Sequence, residues 1–212
     1  MSWDKTSPRL VEDNNVVPNR IRELEQRLER TEQQLRLFQK ISRFMVRDLS
    51  LQEVLQGIVS LVVEFMQCDS CLVYLVDNDR LLLCASNDPT SDAIGKVSLK
   101  LDEGLTGWVA RERRLLAISR EAYHDPRFKY FSDLPEDTFE AFLSAPVISR
   151  NRVVGVINVQ HRSAHSHTGS ELEMVTTVGE QVGCLLMLAR LAASGIERGN
   201  NAELVFASPS GN

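Results

Sequence analysis

Residues 142–161 read FLSAPVISRNRVVGVINVQH. Both halves are apolar on both faces, and 153–159 (VVGVINV) shows hardly any polar alternation, so each half is predicted to be a strand covered on both sides. Such strands lie centrally in a sheet. Arg150-Asn151 joins the halves, and asparagine tolerates positive φ, which suits a tight antiparallel reversal. Pro146 cannot donate a ladder hydrogen bond, so an edge or a bulge is expected beside it.

Working outward, the segment before this hairpin, Glu121 to Thr138 (EAYHDPRFKYFSDLPEDT), is long, aromatic and without regular pattern. Between strands of a compact domain such a stretch either walls a ligand cavity or closes the core. Leu115 to Ile118 is predicted as a strand and Gly104 to Arg113 as a short helix entered through EGLTG. Those glycines lack the third glycine of a dinucleotide fingerprint and a Gly-Lys-Ser/Thr ending, so they read as punctuation. Lys96 to Lys100 is a short strand, and Cys71 to Val76 with Arg80 to Ala85 form a hairpin across Asp77-Asn78-Asp79. Ser50 and Glu53 make a capping box for a helix whose broad apolar face includes Leu51, Val54, Leu55, Ile58, Leu61, Val62 and Phe65. On the other side of the hairpin, Thr168 and Glu171 cap a helix from about Gly169 to Ser194. Its apolar residues crowd one side at first (Leu172, Val175, Val178, Val182) and then spread round the helix (Leu185, Leu186, Met187, Leu188, Leu191), more than one sheet face covers, so a second partner is implied.

Residues 1–17 are polar and read as a disordered lead-in, and 195–212 as a flexible tail too short and polar to be an output domain. Residues 18–48 hold no glycine, and Pro18 suits the first helical turn. Ile21, Leu24, Leu28, Leu35 and Phe38 follow a seven-residue repeat, with Thr31 as the polar intruder, in an otherwise charged helix. A stripe this narrow is a coiled-coil seam. Past Phe38 the spacing tightens to Ile41 and Met45, where the helix is expected to leave the coil and meet the domain of residues 49–194.

The chain has 212 residues, 43% hydrophobic and 25% charged, with a net charge of -5. That fits one globular domain with extensions and gives no general attraction to phosphate backbones, so no nucleic-acid partner is expected. The N-terminus lacks an apolar signal core, and the apolar stretch near Val182 to Ala193 is short and interrupted by Arg190. No membrane partner and a cytoplasmic location are therefore expected. Cys68, Cys71, Cys84 and Cys184 make no disulfide framework in a chain of this size. No metal site is expected either, because His161, His165 and His167 are close in sequence but an exposed loop supplies no outer groups to fix them.

Taken in order, CLVYLVD, DEGLTGWVA, AYHDPRFKYF, FLSAPVI, VVGVINVQ and the capped helix at Thr168 resemble a GAF domain over about Leu37 to Ala192. HDPRFKYF followed by Phe139, Phe142 and Pro146 is especially similar to the GAF domain that precedes nitrogen-related phosphotransferase enzymes, whose catalytic region has no counterpart here. The resemblance implies an α+β fold, an antiparallel sheet with the first and last helices on one face and a ligand pocket on the other. It also implies a homodimer bundled through its N- and C-terminal helices, reporting to a separate output protein. Tyr74, Trp108, Tyr123, Phe128, Phe131 and Phe142 are expected as pocket walls and Arg127 as the anion-facing group. The ligand is an unknown small molecule, with a cyclic nucleotide as one class. However, Gln160-His161, His167 and Glu171-Leu172 stand where nucleotide-binding members resemble one another in Asn-Lys, Phe and Asp-Glu, and His161 with Glu171 would replace a Lys–Asp link. Two rival readings are a ligand-free dimerisation scaffold, its pocket plugged by its own aromatic side chains, and a thiol enzyme like the free-methionine sulfoxide reductases. The second needs a lid cysteine, and none lies between Cys84 and Cys184, so no catalytic residue is assigned.

Overall fold

The order of elements in the computed structural model, which describes residues 16–46, 50–88, 93–129 and 139–206, follows the sequence reading closely. Helix α1 (Val16–Val46) leads to α2 (Leu51–Met66), then β1 (Ser70–Asp77), β2 (Arg80–Ser86), β3 (Ser98–Lys100), α3 (Gly104–Glu112) and β4 (Leu116–Ile118). A single 3-10 turn (Ala122–His124) precedes β5 (Ala141–Ser149), β6 (Arg152–His161) and α4 (Gly169–Phe206). The expectations for residues 1–15, for Tyr130 and Phe131, for the rest of the 130–138 stretch and for 207–212 lie outside the described residues, while Val16 and Val17, read as part of the disordered lead-in, open α1. The chain divides into two units, residues 1–39 and 40–212.

In the first unit, α1 turns its heptad side chains to the surface: Ile21, Leu24, Leu28 and Leu35 are all more than half exposed. Arg36 and Glu32 pair one turn apart at 3.3 Å, an exposed contact of the kind that adds a few tenths of a kcal/mol, about 0.3–0.5, to a helix. Further along the helix, Ile41 is fully buried, the change of surroundings expected where the spacing tightens. Within the second unit, Lys40 reaches both carboxylate oxygens of Glu64 on α2, at 2.9 and 3.0 Å.

The second unit is built on a six-stranded antiparallel sheet in the order β3-β2-β1-β6-β5-β4. The opening hairpin is β5–β6, with Arg150 and Asn151 both at positive φ, 47° and 60°, the geometry of a two-residue reversal. Strand β4 pairs with β5 only as far as Ser144, so Pro146 sits where β5 becomes an edge, just before a register shift at Val147/Ile148. Both expectations for Pro146 are met. Helix α2 is capped by Ser50 and Glu53 as read, with the Ser50 N–H donating to Glu53 Oε2 at 2.8 Å, and it buries Val54, Leu55, Ile58, Val59, Leu61, Val62 and Met66. Helices α2 and α4 pack on the sheet, α2 against β1 and β2, and α4 chiefly against β5.

Two sequence expectations change. Helix α4 runs to Phe206, through residues 195–206 of the segment read as a flexible tail, because Gly195 costs a helix interior only about 1 kcal/mol and the next proline is Pro209. Its part Gly169–Ala189 is also long and apolar enough to cross a bilayer by length and composition, a longer stretch than the one near Val182 to Ala193 that the sequence reading singled out. Met174, Val175, Val178 and Val182 are buried in the unit, as in the core helix of a globular domain.

Candidate functional site

Helix α3 contacts β3, β5 and β6, and the side chains beneath it alternate regularly along the strands. Leu72 and Tyr74 of β1 and Val156 of β6 join Val109 and Ala110 of α3 in one apolar cluster, with Trp108 at its margin. The helix starts where it does for a steric reason. A Cβ on Gly107 would lie 2.8 Å from both Lys100 O and Asp102 C, so only glycine lets the first turn lie this close to the preceding loop. Both glycines of EGLTG thus have a backbone role, Gly104 through its φ of +68°.

A buried polar chain crosses this interface. Ser144 Oγ donates to Asn158 Oδ1 at 2.7 Å, and Asn158 Nδ2 donates to Thr106 Oγ1 at 2.7 Å. Ser144 and Asn158 also face each other in the β5–β6 register. All three residues are buried, so this chain fixes α3 over the sheet with its polar groups satisfied. The sequence reading missed it, although an asparagine inside VVGVINV was its signal. A second tie lies at the hairpin tip, where Arg113 Nη2 donates to Asn151 O at 2.8 Å and to Asn151 Oδ1 at 2.6 Å.

The predicted site residues fall into adjoining groups. Tyr74 is 1% exposed and packs in the first cluster with Trp108 beside it. Arg127 lies over the Trp108 ring, 4.5 Å from guanidinium carbon to centroid. Phe142 is 3% exposed and shares a second cluster with Leu105 and Ala122, against which Phe128 packs. Tyr123 is half-buried, and its hydroxyl donates to Glu140 Oε1 at 3.0 Å. Arg127 donates from Nε and Nη2 to the two oxygens of Asp125, at 2.8 and 2.7 Å. These hydrogen bonds hold the Asp125 carboxyl below its usual range and push Arg127 up. The pair takes two of the five N–H groups of the guanidinium.

The cysteines are free. Burial pushes the Cys68 thiol up to about 11, drives Cys71 well above the usual thiol range and raises Cys84. Thiols so shifted are poor nucleophiles.

At the far end of β6 the three histidines meet. The His161 and His165 rings stack at 4.1 Å between centroids, and the His167 ring lies 5.7 and 5.0 Å from them. The link to Glu171 read for His161 is made instead by His165, whose Nε2 lies 2.7 Å from Glu171 Oε1. His161, the last residue of β6, is 5% exposed and packs into the unit, which leaves the loop residue free to reach the helix cap. An ionised carboxylate only accepts, so Nε2 of His165 carries the proton. Burial pushes Glu171 up, but hydrogen bonds from the Thr168 N–H, His165 and the Thr168 hydroxyl outweigh it and leave the carboxyl lowered. The loop is therefore more enclosed than the sequence reading had it.

Burial lowers His161 and takes His167 down to about 4, and His165 adds to both shifts. Between about pH 4 and the ordinary 6.5, the unfolded chain binds a proton at His167 that the folded chain does not. Stability present above 6.5 is thus lost as pH falls toward 4. A series of urea midpoints is expected to decline across this interval, and less steeply in His167→Gln. Equal slopes in the two proteins would contradict the assignment.

A family model described as "GAF domain" matches residues 50–186. Over 145 residues the chain is 32% identical to a protein of Escherichia coli (strain K12) described as "Phosphoenolpyruvate-dependent phosphotransferase system", a match covering 68% of this chain and 19% of that protein. The chain thus spans about a fifth of the length of the curated relatives it matches. Among solved structures, the GAF domain of an Acinetobacter phosphoenolpyruvate-protein phosphotransferase aligns with a TM-score of 0.66 at 28% identity, covering 76% of this chain and 94% of that one. A second such domain, from Coxiella burnetii, aligns at 0.71 and 22% identity over 77% of this chain and 98% of that one, a likeness of fold.

Proposed function

The chain belongs to the GAF family, and on that premise we propose that it is a dimeric regulatory sensor that binds a small molecule under α3 and relays occupancy through its terminal helices to an output partner. The observation that carries this reading is a cationic group at the margin of an apolar cluster, Arg127 stacked on Trp108, with Leu116 packed against both that cluster and its neighbour. A guanidinium held over an indole face keeps its charge and still has donors beyond those that Asp125 accepts. It is therefore placed to receive an anionic group. A ligand changes the output only if it binds two arrangements of the dimer with different affinity, so the ligand must touch an element that moves with the helices. The α3 interface does this through Asn158, which ties α3 to β6, the strand that runs into the His161–Thr168 connection to α4. The membership and the thiol environments fit a regulatory domain rather than a thiol enzyme.

One observation favours the scaffold reading. Tyr74 and Phe142 are enclosed by their own neighbours and Arg127 already has a carboxylate partner. The two readings separate in a thermal-shift screen of the full chain against small organic anions. The sensor reading expects a compound that raises the melting temperature of the wild-type protein, with the effect lost in Arg127→Ala. At 100 times its dissociation constant such a ligand adds about 2.7 kcal/mol. A shift that persists undiminished in Arg127→Ala would remove Arg127 from the site, and a screen without any shift would favour the scaffold.

A further inference from the structure

We infer that His161, His165 and His167 form a three-imidazole binding site for a divalent transition-metal ion of the zinc class. One ligating nitrogen from each ring lies within 4.8 Å of the others. Nitrogens sharing a tetrahedral ion at 2.0–2.1 Å stand about 3.3 Å apart, so small ring rotations close the site. Three imidazoles with a fourth position left for water or a ligand suit Zn2+, and also Co2+, Ni2+ and Cu2+.

The nitrogens themselves point to an ion. Nε2 of His161 and both Nδ1 and Nε2 of His167 are buried without a hydrogen-bond partner. Buried polar atoms are normally paired, and an ion would accept the lone pair of His161 Nε2 and that of one His167 nitrogen, the other His167 nitrogen keeping its proton. His165 supplies the complement. Its Nε2–H is held by Glu171, which leaves Nδ1 as the free donor atom. Carboxylate, imidazole and metal in that order is the usual arrangement by which an outer group fixes the tautomer and orientation of a ligand. Glu171 is in turn held by the Thr168 N–H at 2.6 Å.

The connection that carries the ligands is also tied down along its length. His165 N–H donates to Ser119 O at 2.9 Å, and Arg162 N–H donates to Asp69 Oδ2 at 2.8 Å. Asp69 and Glu171 both favour positive charge at His161, and Glu171 does so at His167. An ion here would clamp the end of β6 to the first turn of α4. By strand alternation His161 falls on the opposite face of β6 from Asn158, so the site is separate from the α3 interface and does not depend on the proposal made for it.

The test uses the full chain, stripped with a chelator and titrated with Co2+ and then Zn2+. The expected result is one ion per chain, visible d–d bands of four-coordinate Co2+ that Zn2+ abolishes, and a melting temperature that rises with Zn2+. Glu171→Gln keeps the helix cap, since glutamine serves at that position, yet removes the outer carboxylate. It is expected to weaken Zn2+ binding about 10–100-fold. His165→Gln and His167→Gln should weaken it further, while His124→Gln, at the exposed end of the 3-10 turn, should change nothing. A wild-type protein that stays colourless with Co2+ overturns the inference without any variant. So does Zn2+ binding that survives His165→Gln and His167→Gln unchanged in well-folded protein.

Discussion

Gly183→Ala is expected to lower stability by about 2 kcal/mol, although alanine is the better helix former. A Cβ at this position would stand 2.4 Å from Ile148 O and 3.1 Å from Ile148 C. Both atoms are backbone of β5 at its bulge, so no side chain rotates away, and either α4 or the strand must move. Overpacking costs about 1–3 kcal/mol, and an overlap with backbone at 2.4 Å belongs at the upper end, so a loss of about 2 kcal/mol remains after the helix-propensity gain of about 1 kcal/mol. Gly179 is the milder version of the same contact, with Pro146 O at 3.2 Å. Gly169→Ala provides the opposite sign, because nothing lies within 4 Å of its added methyl and the unfolded chain loses freedom, a gain of about 0.4–1 kcal/mol. Urea unfolding of the three variants should rank Gly169→Ala above wild type and Gly183→Ala lowest. A Gly183→Ala midpoint at or above that of wild type would mean that α4 does not sit against β5 as described.

The second large effect is expected on assembly. Leu24 and Leu28 are 57% and 61% exposed on α1, and the proposed dimer covers them with the seam of a second copy. Full burial of a leucine contributes about 1.5–3 kcal/mol, and these are already partly covered, so about 1–2 kcal/mol each is available. Four such side chains in a dimer give about 4–8 kcal/mol, or about three to six powers of ten in dissociation constant. Replacing both by glutamate, which keeps helix propensity, is therefore expected to yield a monomer by sedimentation with little change in the circular dichroism of the folded domain. A double variant that sediments as the wild-type dimer would show that the seam is not the interface.

Most of the fold was legible because its signals are local. The VVGVINV run, the Arg150-Asn151 reversal, the Ser50–Glu53 and Thr168–Glu171 caps and the heptads of α1 each fix an element within a few residues. What escaped depends on contacts between distant segments. Asn158 meets Thr106 across 52 positions, which no periodicity encodes. The histidine cluster was visible as spacing, but its burial follows from the way the connection folds back on Ser119 and Asp69. The far end of α4 was missed for another reason, since Gly195 weakens a helix without stopping it. Of the residues expected at the pocket, the described aromatics were readable as side chains needing cover, whereas the pairing of Arg127 with Asp125 two residues away turns on the turn at Pro126.

The measurement closest to the central claim is native mass spectrometry of the full chain, gently purified and then freed of metal with a chelator. The sensor account predicts a dimer carrying a discrete additional mass of a small organic molecule, either as isolated or after incubation with a metabolite extract. A dimer that stays at the bare mass in both conditions contradicts the sensing role, and a bare monomer contradicts the dimer as well.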